Sequence, residues 1–241
     1  MKHKKILWCT GIILFLTLIL FPVLAKADVH VKRMVHMDAF MGQPASDEEA
    51  SMWLAKDKFR YDAARNMTQI VRLDKKKIYM LNHDNQNYSE IDLPIDISQA
   101  LDPQAQQMMQ SLKTSVTVTD TGETQKINKW NCKKYLIEIN ISMMMSMTMN
   151  MDWWVSDDVG ADLIKLYQKH YGEVLVANPM MEALAEEIKK VKGFPIKTEF
   201  SMMGMNMTDE VVSIEKEKAP QGTYDVPAGY TKTDYNPFMQ R

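Results

Sequence analysis

The chain has 241 residues, with 29 lysines and arginines against 31 aspartates and glutamates, for a net charge of −2. An acidic balance without a Lys/Arg cluster argues against nucleic acid and against an anionic membrane surface as partners. Methionine is the anomaly in the composition, with 22 residues.

Lys2, Lys4 and Lys5 precede an apolar run from Ile6 to Leu24, and Ala25-Lys26-Ala27 supplies the small residues a signal peptidase needs. Residues 1–27 therefore read as a secretory signal peptide, cut after Ala27. The rival reading is an uncleaved anchor, because the apolar run approaches a membrane-spanning length. Cys9 lies inside that run, not after it, which speaks against a lipidated cysteine. Cleavage leaves 25 basic residues against 31 acidic ones, a mature charge of −6. It also leaves Cys132 alone, so no intramolecular disulfide can form, and its place beside an apolar strand predicts a small buried thiol. The expected location is the periplasm or the exterior, with membrane contact only transient or through the signal. Residues 28–241, roughly 214 in number, suffice for a single domain.

Val29 to Phe40 alternates, with Val29, Val31, Arg33, Val35 and Met37 on one face. Residues 42–49 read as an exposed loop. A meander of short strands follows at 52–55, 58–63, 68–73, 77–82 and 88–91, separated by polar turns, as antiparallel neighbours require. Between Pro94 and Lys113 the apolar residues Ile97, Leu101, Met108, Met109 and Leu112 recur at helical spacing. Residues 114–119 and 125–128 then read as strands on either side of a turn at Asp120-Thr-Gly-Glu.

The clearest signal is residues 133–156. Tyr135, Ile137, Ile139, Ile141, Met143, Met145, Met147, Met149, Met151, Trp153 and Val155 are all apolar, and the intervening positions are mostly polar. Strict alternation puts one face of a β-ribbon in apolar surroundings. As one strand it would reach roughly 70 Å, against a radius of gyration of roughly 17 Å for the domain, so it must fold back. Opposed residues of a hairpin share a face, and the odd phase survives throughout, so the loop has an odd length or a bulge. Placing the loop at Met144-Met145-Ser146 pairs Ile141 with Met149, Ile139 with Met151, and Ile137 with Trp153.

Helices are predicted over 160–171 and over 179–192, the second capped by Asn178-Pro179 and stopped by Gly193. Its stripe of Met180, Met181, Leu184, Ile188 and Val191 needs an apolar surface, which the odd face of the ribbon supplies. Residues 194–215 form a second hairpin, in which a two-residue loop at Met203-Gly204 opposes Met202 to Met205 and Phe200 to Met207. The tail closes with Tyr224-Asp-Val-Pro-Ala-Gly-Tyr230.

This order of pieces is familiar. Trp53-Leu-Ala-Lys-Asp-Lys-Phe-Arg60, Ile70-Val-Arg-Leu-Asp-Lys-Lys-Lys-Ile-Tyr79, Tyr88, Cys132-Lys-Lys-Tyr135, Trp154-Val-Ser-Asp157 and Val226-Pro-Ala-Gly-Tyr230 together resemble a family of secreted bacterial domains of unknown function. That family is similar to the LolA/LolB lipoprotein-carrier fold. The resemblance implies a mainly β, α+β architecture: a curved antiparallel sheet, or incomplete β-barrel, wrapped around two or three helices. It also implies an apolar cavity for a lipid or a lipoprotein acyl chain.

Enzyme signatures are missing. There is no Gly-x-Ser-x-Gly, His-Glu-x-x-His, Cys-x-x-Cys or phosphate-binding glycine loop, so neither catalysis nor a cofactor is expected. The apolar cavity would be lined by Ile137, Ile139, Ile141, Met143, Met145, Met147, Met149, Met151 and Trp153 from the ribbon, and by Phe200, Met202, Met205 and Met207 from the second hairpin. Flexible thioether side chains make an adaptable apolar wall. Two alternatives stay open. Soft sulfur selects Cu(I), with Met143, Met145, Met147, Met149, Met202, Met205 and Met207 as the candidate ligands. The same fold could also serve as a sensor or scaffold for an envelope protein partner.

Overall fold

The computed structural model describes residues 27–63, 66–95, 113–142, 146–176, 182–202 and 204–234. The expected signal peptide apart from Ala27, most of the helical stretch at 94–113, and Met143 and Met145 lie outside them. Within them the chain is mostly β, with two helices. The strands are β1 (Asp28–Met37), β2 (Ser46–Leu54), β3 (Lys58–Ala63), β4 (Met67–Arg72), β5 (Lys77–Asn82), β6 (Asn87–Asp92), β7 (Lys113–Ile127), β8 (Trp130–Ser142), β9 (Ser146–Ser156), β10 (Phe194–Met202), β11 (Met205–Glu217) and β12 (Thr231–Lys232). The helices α1 (Ala161–Val176) and α2 (Glu182–Ile188) lie between β9 and β10.

All twelve strands form one open curved sheet in the order β12-β6-β5-β4-β3-β2-β1-β11-β10-β9-β8-β7. Every pairing is antiparallel except the two-residue parallel contact of β12 with β6, a departure from the purely antiparallel expectation. The N-terminal strand sits in the middle, between β2 and β11. Its alternation explains this: Val29, Val31, Arg33 and Val35 are all buried on one face.

That inner face is covered by both helices. Leu163 and Tyr167 of α1 pack with Val29, Val31, Leu54, Phe194 and Val211. Leu184, Ala185 and Ile188 of α2 pack with Tyr135, Ile137, Ile139 and Trp153 of the ribbon. The outer face of β2–β5 carries a smaller cluster of Trp53, Ile70 and Leu81, closed by Tyr224 and Tyr230 of the tail. Arg72 fixes the tail by donating to the Tyr224 carbonyl at 3.1 Å and to the Asp225 carboxylate at 2.7 Å.

Local details differ from the sequence expectations for identifiable reasons. β2 begins at Ser46, inside the expected loop, because the backbone ladder with β1 continues to Met37 opposite Ser46. Residues 113–127 form one strand: the Asp120-Thr-Gly-Glu turn is a bulge at which the register shifts between Asp120 and Thr124. Gly122 there adopts φ 74°, and its N–H donates to the Asp120 carboxylate at 2.9 Å. Helix α1 runs on through Gly172 to Val176, because Val174 still finds Val71 and Ile78 to pack on. Helix α2 ends at Ile188, short of the expected Lys192, because the chain tightens there into turns in which Lys190 N–H donates to the Glu187 carbonyl and Val191 N–H to that of Ile188. Gly193, with φ 142°, leads instead into β10, and a Cβ there would stand 3.0 Å from the Ser156 carbonyl oxygen.

Candidate functional site

The ribbon folds back with its parity kept, but Ser142 opposes Ser146, so its register falls one residue earlier than the placement at 144–146. Ile141 therefore opposes Met147, Ile139 opposes Met149, Ile137 opposes Met151, and Tyr135 opposes Trp153. No Gly, Pro or Asn marks the turn, so parity was readable and position was not. The second hairpin is as expected, with Met202 opposite Met205 and Phe200 opposite Met207, and Gly204 at φ 86° completing the two-residue loop.

Since opposed residues share a face, these registers join up. One rung crosses six strands as Val118, Ile137, Met151, Phe200, Met207 and Met37. A rung further on, Ile139 lies between Val116 and Met149, and Met202 faces Met205. Every described candidate from the two hairpins thus lies on the inner face. Their burial separates them into two groups. Ile137, Ile139 and Trp153 are buried beneath α2. Ile141, Met149, Met151, Phe200, Met202, Met205 and Met207 are half-buried, and Met147 is exposed.

Between α1 and the sheet lies a cavity of about 260 Å³ that the sequence reading did not foresee. Its walls are largely aromatic: Phe59, Tyr61, Tyr167 and Tyr171, with Met52 and Val174. Burial raises the pKa of all three tyrosines, so they remain neutral phenols. At one side is an ion pair in which the buried Arg33 donates through Nε to the half-buried Asp209 at 2.6 Å. The signal for this pair was present: Arg33 interrupts an otherwise apolar inner face of β1, and Asp209 interrupts that of β11. His170 also lines the cavity. It donates from Nε2 to the Ala55 carbonyl at 2.6 Å, and burial lowers its pKa, which keeps the ring uncharged. A larger hollow of about 730 Å³ near β7 and the end of α2 is polar, ringed by Lys126, Lys133, Lys190 and Lys192.

Cys132 is 2% exposed, and burial pushes its thiol up to about 11, so it is no nucleophile. Among the described residues no group of three His, Cys, Asp or Glu is placed to hold a metal ion. No helix among them is long and apolar enough to cross a membrane.

The class defined by this geometry is a mainly β domain: one open curved sheet with an apolar inner face and two helices laid upon it. The particular family follows from the sequence. Residues 34–230 match the Domain of unknown function (DUF4412), and the chain belongs to that family. No curated protein matches it. Among solved structures it is similar to PNGF-II in a C2 crystal form, at 13% identity and a TM-score of 0.41 over 88% of this chain. It spans only 31% of that protein's length. It is also similar to a DUF1329 family protein from Desulfovibrio piger (8% identity, TM-score 0.33, covering 83% of this chain and 90% of that one). A third likeness is to LprF from Mycobacterium bovis (11% identity, TM-score 0.30, covering 85% and 90%). Similarity of this degree transfers neither activity nor ligand.

Proposed function

We propose that this protein is a non-enzymatic binding protein of the bacterial envelope that holds an apolar ligand, a lipid or a lipoprotein acyl chain, on the inner face of its sheet. In this reading residues 1–27 are a cleaved signal and residues 28–241 one periplasmic domain. The sheet acts as an incomplete barrel with the helices as its filling. Ile137, Ile139 and Trp153 form the floor of the site. Ile141, Met147, Met149, Met151, Phe200, Met202, Met205 and Met207 form the reachable wall.

The observation that carries the reading is the apolar rung from Val118 to Met37, whose outer members stay half-exposed instead of being sealed into the core. A contiguous apolar surface left partly open marks a place where something else binds. Methionine suits such a wall because its unbranched, polarizable chain adapts to ligands of varied shape.

The test is native mass spectrometry of the secreted protein before and after organic extraction, followed by uptake of an apolar fluorescent dye. Co-purifying lipid is expected. The pair Met149→Ser and Met151→Ser should weaken dye uptake, while Thr148→Ala on the outer face should leave it intact. A protein that arrives lipid-free and ignores the dye overturns the proposal.

A further inference from the structure

We propose that the corner of the inner face where β1, β10 and β11 end is a thioether site for a soft monovalent metal ion, Cu(I) above all. Four methionines meet there. Met37 opposes Met207 across β1 and β11, and Met205 opposes Met202 across β11 and β10. Met205 and Met207 lie two residues apart on one strand, hence on one face. Directly opposed Cβ atoms stand about 4.5–5.5 Å apart, and diagonal ones about 7–8 Å, within reach of long side chains. A methionine has three rotatable bonds with which to bring its sulfur to a common point.

The corner has room for an ion. A hollow of about 460 Å³ opens there, lined by both Met37 and Met205. Glu48, which lies opposite Val35 across β1 and β2, lines the same hollow and puts a negative charge beside the approach of a cation. None of the four methionines is core filler, since each is only half-buried. The donor set is neutral sulfur, which selects Cu(I) over Mg²⁺ or Ca²⁺. His36 is not a competing ligand: it faces the outer side of β1, bonded to Asp47 at 2.7 Å and Asp38 at 3.2 Å. The set also differs from the one the sequence suggested. Met37 joins, Met147 is exposed at the ribbon's end, and Met149 packs against the α2 cluster.

This inference is independent of the acyl-chain reading, because it depends on sulfur donors and not on apolar area. The experiment is an anaerobic titration of the lipid-extracted secreted protein with Cu(I), in competition with a chromophoric Cu(I) chelator, repeated with Ag(I) as a redox-inert probe. One ion per chain is expected. Thioethers carry no proton, so affinity should be the same at pH 5 and pH 7, unlike a site built from histidine or thiolate. X-ray absorption should show sulfur ligands. Met37→Leu combined with Met205→Leu conserves volume. It should lower affinity by at least the roughly 10–100-fold that even outer-shell changes cost a metal site. Leucine keeps the apolar volume and removes only the sulfur, so a loss of Cu(I) affinity in this pair reports on the thioether donors. Met34→Leu, on the outer face of β1, should change nothing. Absence of stoichiometric uptake, nitrogen or oxygen ligation, or wild-type affinity in the Met37→Leu/Met205→Leu protein would each overturn the proposal.

Discussion

Replacing Ile137 with alanine tests the face assignment on which the ligand wall depends. Ile137 has no exposed surface, lies between Val118 and Met151 in the ladder, and belongs to the cluster with Leu184 and Ile188. The change removes three carbons, worth about 0.8 kcal/mol each in transfer free energy. A cavity term adds to this, because β8 is held on both sides and cannot collapse inward; Ile→Ala changes in cores cost about 2–5 kcal/mol. We expect about 3–4 kcal/mol, a large share of a typical stability of about 5–15 kcal/mol. For a domain of this size that is a fall in Tm of about 6–16 °C. Asn150→Ala, exposed on the opposite face of β9, should stay within about 0.5 kcal/mol of the parent. Urea titrations at equal m-value give both numbers. A cost below about 1 kcal/mol for Ile137→Ala, or an equal cost for Asn150→Ala, would refute the assignment and remove the wall built on it.

Burial depresses the pKa of His170, so the unfolded chain takes up a proton near pH 6.5 while the folded ring stays neutral, and stability should fall as pH drops below about 6.5. His36, raised by its bonds to Asp47 and Asp38, acts in the opposite sense; a His170→Gln protein whose urea midpoint keeps the parental slope between pH 4.5 and 6.5 would refute the burial argument. Cys132 should resist thiolate-selective reagents at pH 8 until urea unfolds the chain, and rapid labelling of the native protein would contradict its raised pKa. Gly193→Ala forces a side chain into a left-handed backbone 3.0 Å from Ser156 oxygen and should cost at least the order of 1–3 kcal/mol. Gly172→Ala, in α1 with open space around it, should stabilise by about 0.4–1 kcal/mol; thermal melts that rank the two variants the other way would contradict both.

The inner and outer faces were legible because the side-chain period of a strand is two and survives any tertiary context. The second hairpin was legible to the residue, since a two-residue loop must flip the phase and Gly204 supplies the conformation. In the ribbon an odd loop preserves the phase, so the alternation is equally satisfied by turns placed one residue apart, and only the backbone settles between them. Ser46–Glu49 was missed for the converse reason. Ser-Asp-Glu-Glu is polar on both faces and shows no alternation, yet its backbone groups still complete the ladder with β1. Gly172 stops no helix because the packing of Val174 outweighs its propensity cost of about 1 kcal/mol.

What local pattern cannot convey is the order of strands. Nothing near Met37 points to Met207, and nothing near Arg33 points to Asp209, because the pairing of β1 with β11 joins segments from opposite ends of the chain. Both features of the inner face that the sequence reading lacked depend on this one pairing. The ion pair beside the aromatic cavity needs Arg33 opposite the strand carrying Asp209, and the methionine corner needs Met37 opposite Met207. The sequence did leave a trace of each, in a charge where alternation calls for an apolar residue and in methionines that cluster at strand ends. A charge on an apolar face has to find a partner there, so two such interruptions on separate strands are themselves grounds for placing those strands side by side.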